Sequence, residues 1–214
     1  MHANERESPI CNLQSSIFNL QSLPPLFLAS ASPRRRQLLR RMGLRFKVLK
    51  PTVDESGTWR SPREHAIRLA EMKARAVAPP VRKGIIIAVD TIVVLGREIM
   101  GKPMNRADAR RMIKALAGRT HRVIGGLCLL RQPDGRTLLA CEETKVQFRR
   151  LSPAEIDAYV ATDEPYDKAG AYAIQGQAGF FVERIEGDYF NVVGLPVARL
   201  LKLLQTLSRR SSKS

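Results

Sequence analysis

Hydrophobic positions along the chain follow two rhythms, and the places where one gives way to the other mark the elements. "LFLA" at 26–29 is a short apolar run that predicts a buried strand. In "SPRRRQLLRRMG" (32–43) the apolar residues Leu38, Leu39 and Met42 recur at helical spacing, with Ser32 as cap, Pro33 in the first turn and Gly43 as stop. A second helix starts at Ser61, with Pro62 in the first position and Glu64 completing a capping box, and carries Lys73 near its C-terminal end. "GIIIAVDTIVVLGREIMGKP" reads as two buried β runs around the polar pair Asp90-Thr91, with a turn at Gly96. A capped helix from Asn105 to Gly118 precedes a long hairpin, "HRVIGGLCLLRQPDGRTLLACEETKVQFRR". If Asp134-Gly135 is its two-residue turn, Cys128 faces Cys141 across the strands. Ser152, Pro153 and Glu155 repeat the helix start, a glycine-punctuated stretch follows, and a last helix puts Leu200, Leu201, Leu204 and Leu207 on one side. The mixture predicts an α/β fold: one elongated domain with a central mixed sheet flanked by helices. Residues 1–24 are polar and aperiodic and read as a disordered leader, 25–207 as the folded domain, and 208–214 as a solvated basic tail.

Charge changes this picture by asking for a partner. With 36 Lys+Arg against 20 Asp+Glu the formal net charge is +16, which implies an anionic partner without choosing among nucleic acid, phosphate metabolite and membrane surface. The three cysteines, at 11, 128 and 141, make neither a paired secreted framework nor a C-x-x-C metal site, so reduced thiols and a cytoplasmic location are expected. No run approaches the roughly 18 apolar residues of a spanning helix, and the amino end lacks signal-peptide order. Neither G-x-G-x-x-G nor G-x-x-x-x-G-K-[ST] occurs, and His65 and His121 have no second histidine at zinc-ligand spacing.

The oddest feature is Arg34, Arg35 and Arg36 in the first turn of a helix, the positive pole of its macrodipole, where an exposed cation costs roughly 0.3–1 kcal/mol. A strand, a Ser-rich turn and such a helix start have the logic of a phosphate cradle, or else form a solvated basic face. Successive residues turn by about 100°, so Arg36 is expected to point away from any ligand that Arg34 and Arg35 share. Asp90 is the second oddity. A carboxylate inside "IIIAVDTIVV" must be hydrogen-bonded, metal-bound or at the end of a strand facing a cleft. Glu55, Lys73 and Lys102 are unremarkable singly. Taken with Asp90 and an arginine-lined pocket they are what metal-assisted phosphoryl chemistry requires: acids to hold a divalent cation and activate water, cations to neutralise developing charge.

The ordered motifs "LASASPRRRQLL", "VDES", "RLAEMKA", "AVDTIV", "GKP", "AGRTHRV", "DKAGAYAIQG" and "YFNVVGLP" closely resemble the Maf family of nucleoside triphosphate pyrophosphatases, over about Leu26 to Leu204. The resemblance implies an elongated, inosine-triphosphatase-like α/β domain with a cleft, commonly a homodimer. It also implies hydrolysis of a nucleoside triphosphate to the monophosphate and diphosphate with Mg²⁺ or Mn²⁺, clearing non-standard nucleotides. It makes Asp90 the proton acceptor, has Glu55 join it around the metal, and gives triphosphate binding to Ser32, Arg34, Arg35, Lys73 and Lys102. Arg34, Thr91 and Gln175 match positions linked with base selection in the dTTP/UTP branch, and no specific nucleic acid or membrane partner is implied. The competing readings are a 7-methyl-GTP pyrophosphatase and a basic nucleic-acid-binding or division-regulating protein that keeps the fold. Against the family's usual pattern stand Val89, Gly125, Ala173 and Asp188, of which Val89 and Ala173 are expected to add bulk near the cleft.

Overall fold

The computed structural model describes residues 23–55, 57 and 59–208. Most of the predicted leader and all but Ser208 of the predicted tail, Cys11 included, lie outside the described residues. Seven strands form one mixed sheet: β1 (Leu26–Ala29), β2 (Phe46–Leu49), β3 (Gly84–Leu95), β4 (Glu98–Met100), β5 (Thr120–Gln132), β6 (Thr137–Phe148) and β7 (Val182–Glu186). Their order is β2-β1-β3-β5-β6-β7, with β4 added to β3. β1 runs parallel to both β2 and β3, and the other pairings are antiparallel. The helices are α1 (Pro33–Arg41), α2 (Pro62–Ala76), α3 (Arg106–Leu116), α4 (Pro153–Val160), α5 (Tyr189–Val193) and α6 (Val197–Ser208). Three short 3₁₀ turns between 164 and 181 make up the glycine-punctuated stretch.

Alternation along β3 assigns its two faces. Ile85, Ile87 and Val89 pack with Leu38 and Leu39 of α1 and Leu200, Leu204 and Leu207 of α6. Ile86 and Ala88 meet Ala70 and Ala74 of α2. That helix lies hard against the sheet because β5 offers Gly126, where a Cβ would stand 2.0 Å from the Ala66 carbonyl oxygen. The far half of the sheet is covered by α3, whose Ala109, Met112, Ile113 and Leu116 are buried at helical spacing, and by an aromatic group of Phe148, Tyr159, Tyr172 and Phe181.

Three local readings are revised. Asp90-Thr91 does not divide β3, which runs through it for 12 residues. Glu64 accepts from the Arg60 N–H rather than completing a box with Ser61, whose hydroxyl still accepts from the Glu64 N–H. The hairpin turn is centred one position earlier, the Arg131 N–H donating to the Arg136 carbonyl while the Asp134 carboxylate gathers the Arg131 side chain and the Arg136 N–H. Cys128 therefore opposes Leu139, and Cys141 opposes Gly126. Both thiols are free, and burial pushes that of Cys128 up to about 12.

One feature of the sheet makes room for chemistry. β3 pairs with β5 without a break along one edge, from Gly84 to Val94. Its other edge pairs with β1 only through Ile85–Ala88 and with β4 only through Val93–Leu95. Val89, Asp90, Thr91 and Ile92 are left as a gap in that edge, just past the end of β1 where the chain enters α1.

Candidate active site

A cleft of about 950 Å³ opens at that gap, and Ser32, Arg34, Arg35, Glu55, Lys73, Asp90, Thr91, Lys102 and Gln175 all line it. The structure thus brings together every site residue named from the sequence. They form two bonded groups and a rim.

The first group is acidic. Asp90 faces the α2 side of β3 and is only 7% exposed. From α2, the Lys73 ammonium donates to Asp90 Oδ1 at 2.6 Å and reaches Glu55 Oε1, on the loop after β2, at 2.7 Å. Burial alone would raise the Glu55 carboxyl, but the Lys73 hydrogen bond and the charges of Lys73, Lys102 and His65 hold it below its ordinary value of 4.5. The buried carboxylate that looked unaffordable in a strand is therefore paired, as burial of a charge requires.

The second group is the arginine cradle. Ser32 caps α1 by accepting from the Arg35 N–H. The Arg35 side chain is not an exposed cation at a helix pole. It crosses the cleft floor, where Nε donates to the Gly194 carbonyl at 2.8 Å, one terminal nitrogen to Ser30 Oγ at 3.1 Å and the other to Thr91 Oγ1 at 3.0 Å. Burial lowers its pKa, with Asp90 and Glu55 opposing. Three of five guanidinium N–H groups are occupied, so two stay available to an anion in a fixed orientation. The macrodipole cost reasoned for exposed cations does not apply to Arg35. Arg36 is absent from the lining while Arg34 is present, as the turn per residue requires.

Lys102 and Gln175 stand exposed on the rim. The loop beside Gln175 is capped by Glu164, which accepts from the Gln177 and Ala178 N–H groups, so the glutamine amide is not spent on that loop's cap. Of the four departures, Ala173 lines the cleft, whereas Val89 lies in the core against α1 and α6, which corrects its expected place. Gly125 lies against the Asn191 amide, where a Cβ would stand 2.1 Å from Oδ1, and Asp188 caps α5 through the Phe190 N–H.

Sequence reasoning missed Ser30, His65, Lys168 and Gly194 as lining residues. Ser30 had the hydroxyl-rich turn as its signal. Gly194 works through its carbonyl at the end of α5 and left no side-chain signal. Lys168 is drawn to the Glu164 carbonyl at 2.7 Å and to the neighbouring Asp167 carboxylate.

Among the described residues no group of three or more His, Cys, Asp or Glu could hold a metal. The fit is narrower. Glu55 and Asp90 converge on one cationic point, the Lys73 ammonium, and hard carboxylate oxygens suit Mg²⁺ or Mn²⁺ when water and substrate phosphate complete the shell.

A family model described as Maf-like protein matches residues 25–207. The dTTP/UTP pyrophosphatase of Dictyoglomus thermophilum is 49% identical over 184 residues, covering 85% of this chain and 95% of that protein. Those of Carboxydothermus hydrogenoformans and Anaeromyxobacter dehalogenans are 46% and 49% identical, covering 84% and 85% of this chain and 97% and 93% of theirs. The Staphylococcus aureus Ham1 protein structure aligns over 85% of this chain and 98% of its own at 13% identity and a TM-score of 0.46, a likeness too loose to build on.

Proposed function

The chain belongs to the Maf-like protein family, and we propose that its cleft hydrolyses dTTP and UTP, with modified pyrimidine nucleotides of the same outline, to the monophosphate and diphosphate. The observation that carries this reading is the pairing of a water-activating acid with an anion cradle across one gap in β3: Asp90 on one side, the anchored Arg35 on the other. Asp90 accepts the proton of the attacking water as the α–β phosphoanhydride breaks, the water oxygen ends on the nucleotide side or the diphosphate side of that bond, and diphosphate departs. Arg34, Arg35, Ser32 and Lys102 grip the phosphates, and Lys73 adds positive charge where negative charge builds. Glu55 and Asp90 would hold a divalent cation, Mg²⁺ or Mn²⁺, which when bound would neutralise phosphate charge and polarise the reacting groups. Gln175 offers the base an acceptor and a donor together, the complement of the N3–H and carbonyl of uracil or thymine. Thr91 acts on the phosphates through Arg35.

Support for the substrate comes from the named relatives and from Gln175 on the rim. Homodimerisation and a cytoplasmic, nucleotide-clearing role belong to the same reading and rest on the family resemblance; no helix among the described residues is long and apolar enough to cross a membrane. The test is diphosphate release from a panel of nucleotides with Mg²⁺ or Mn²⁺. Asp90→Asn is expected to abolish it while leaving weak, salt-sensitive DNA binding by the basic surface unchanged. No release from any nucleotide by the unaltered protein would sink the proposal, and preference for 7-methyl-GTP would move it to the other branch.

A further inference from the structure

The Lys73 ammonium bonds both Glu55 and Asp90, the two carboxylates that would hold a metal. The inference below rests on that metal reading. Lys73 is firmly placed: its side chain is 13% exposed, it issues from α2, and its partner Asp90 has a side chain only 9% exposed. A free divalent cation approaching the pair meets oxygens already bonded to a positive charge, and the repulsion is strongest at the buried Asp90, since the Glu55 side chain is 58% exposed and more screened by water. A metal arriving on a nucleotide meets a different situation. The triphosphate brings more negative charge than the metal neutralises, and gives the lysine new oxygens within reach of its flexible stem.

We propose that Lys73 is an internal counter-ion that keeps the carboxylate pair closed to free metal and yields it only when the nucleotide arrives with the metal. Metal and nucleotide binding are then coupled through this one side chain, each strengthening the other by the same factor. The device spares the empty enzyme two consequences of an open site: an unpaired buried carboxylate, and occupation by whichever divalent ion is most abundant. Lys73 still touches the reacting phosphates afterwards, so its two tasks follow one another.

The experiment measures Mn²⁺ binding to the full, nucleotide-free chain by the electron paramagnetic resonance signal of free Mn²⁺. It compares the wild type, Glu55→Gln, Lys73→Met, Lys73→Gln and the Lys73→Met/Glu55→Gln pair, with circular dichroism confirming that each is folded. Wild type is expected to bind weakly and to be indifferent to Glu55→Gln. Lys73→Met should bind at least about tenfold tighter, the gain disappearing when Glu55→Gln is added. Two results would overturn the proposal: a folded Lys73→Met or Lys73→Gln protein that binds no tighter than wild type, or a wild type whose nucleotide-free affinity falls about tenfold with Glu55→Gln, which needs no lysine variant to observe. A parallel titration with an α,β-methylene analogue of dTTP separates the two levels. Mn²⁺ binding there that ignores both Glu55→Gln and Asp90→Asn means these carboxylates hold no metal, and the lysine gate falls with the reading beneath it.

Discussion

Thr91→Val is the perturbation that best distinguishes how the cradle works. Valine keeps the shape of threonine and removes the oxygen that accepts from Arg35 at 3.0 Å. Arg35 keeps its Gly194 and Ser30 anchors, so the guanidinium loosens without leaving. A hydrogen bond from a charged donor is worth about 1.5–3 kcal/mol net, and at 1.4 kcal/mol per tenfold its loss lowers kcat/KM by roughly 10- to 100-fold. Thr91→Ser keeps the acceptor and should stay within a few-fold of wild type. On the proposal that Arg35 addresses the phosphates that every nucleotide shares, the losses for dTTP and UTP should run in parallel. The inhibition constant of inorganic tripolyphosphate, which has no base, should rise with them. Steady-state diphosphate release with tripolyphosphate as competitor reads both quantities. An unchanged tripolyphosphate constant together with an altered preference among bases would refute the reasoning and return Thr91 to the base.

Arg35→Ala should lower kcat/KM by orders of magnitude and also lower the melting temperature, since it removes three hydrogen bonds within the fold, whereas Arg36→Ala should cost little in activity; equal losses at both would mean the helix acts by general electrostatics alone. His121, buried against Tyr172 and lowered by burial from 6.5 to about 4, is neutral in the fold while the unfolded chain takes up a proton. Its contribution is therefore present above 6.5 and is lost as pH falls toward 4, a drop on the order of 3 kcal/mol that thermal melts across this range should show and that His121→Gln should flatten. Glu55, held below its ordinary 4.5, stabilises the fold above that value and ceases to as pH falls through its lower folded value, so wild type and Glu55→Gln should converge in melting temperature at low pH. Gln175→Glu should reduce dTTP and UTP turnover by roughly tenfold or more, a carboxylate facing a base carbonyl leaving two acceptors unpaired; turnover that is unchanged would place base recognition elsewhere on the rim.

What the sequence made legible and what it hid divide along a physical line. The helix starts were readable because capping is local: Ser32, Ser61, Asn105 and Ser152 each accept from an N–H three residues on. The nine residues that line the cleft were readable because their ordered motifs resemble a family, and three of them, Asp90, Arg34 and Arg35, were conspicuous as charges where charge is costly. A cleft was implied by the resemblance, but its place and origin were not readable. It exists because β1 ends at Ala88's level on β3 and β4 begins only at Val93, a mismatch between strand lengths that belongs to no strand alone. The hairpin register escaped for a similar reason, being decided by how Asp134 gathers Arg131 and Arg136. The anchoring of Arg35 escaped most completely, since one partner lies 159 residues away and offers only a backbone carbonyl. That anchoring resolves the arginine run. Three adjacent cations crowd one helix start because each faces a different way: Arg34 onto the cleft, Arg35 across its floor to Gly194, and Arg36 outside it. A run that looks like a single basic patch is three separate solutions: the turn per residue already sets Arg36 apart, and the fold then separates Arg34 from the anchored Arg35.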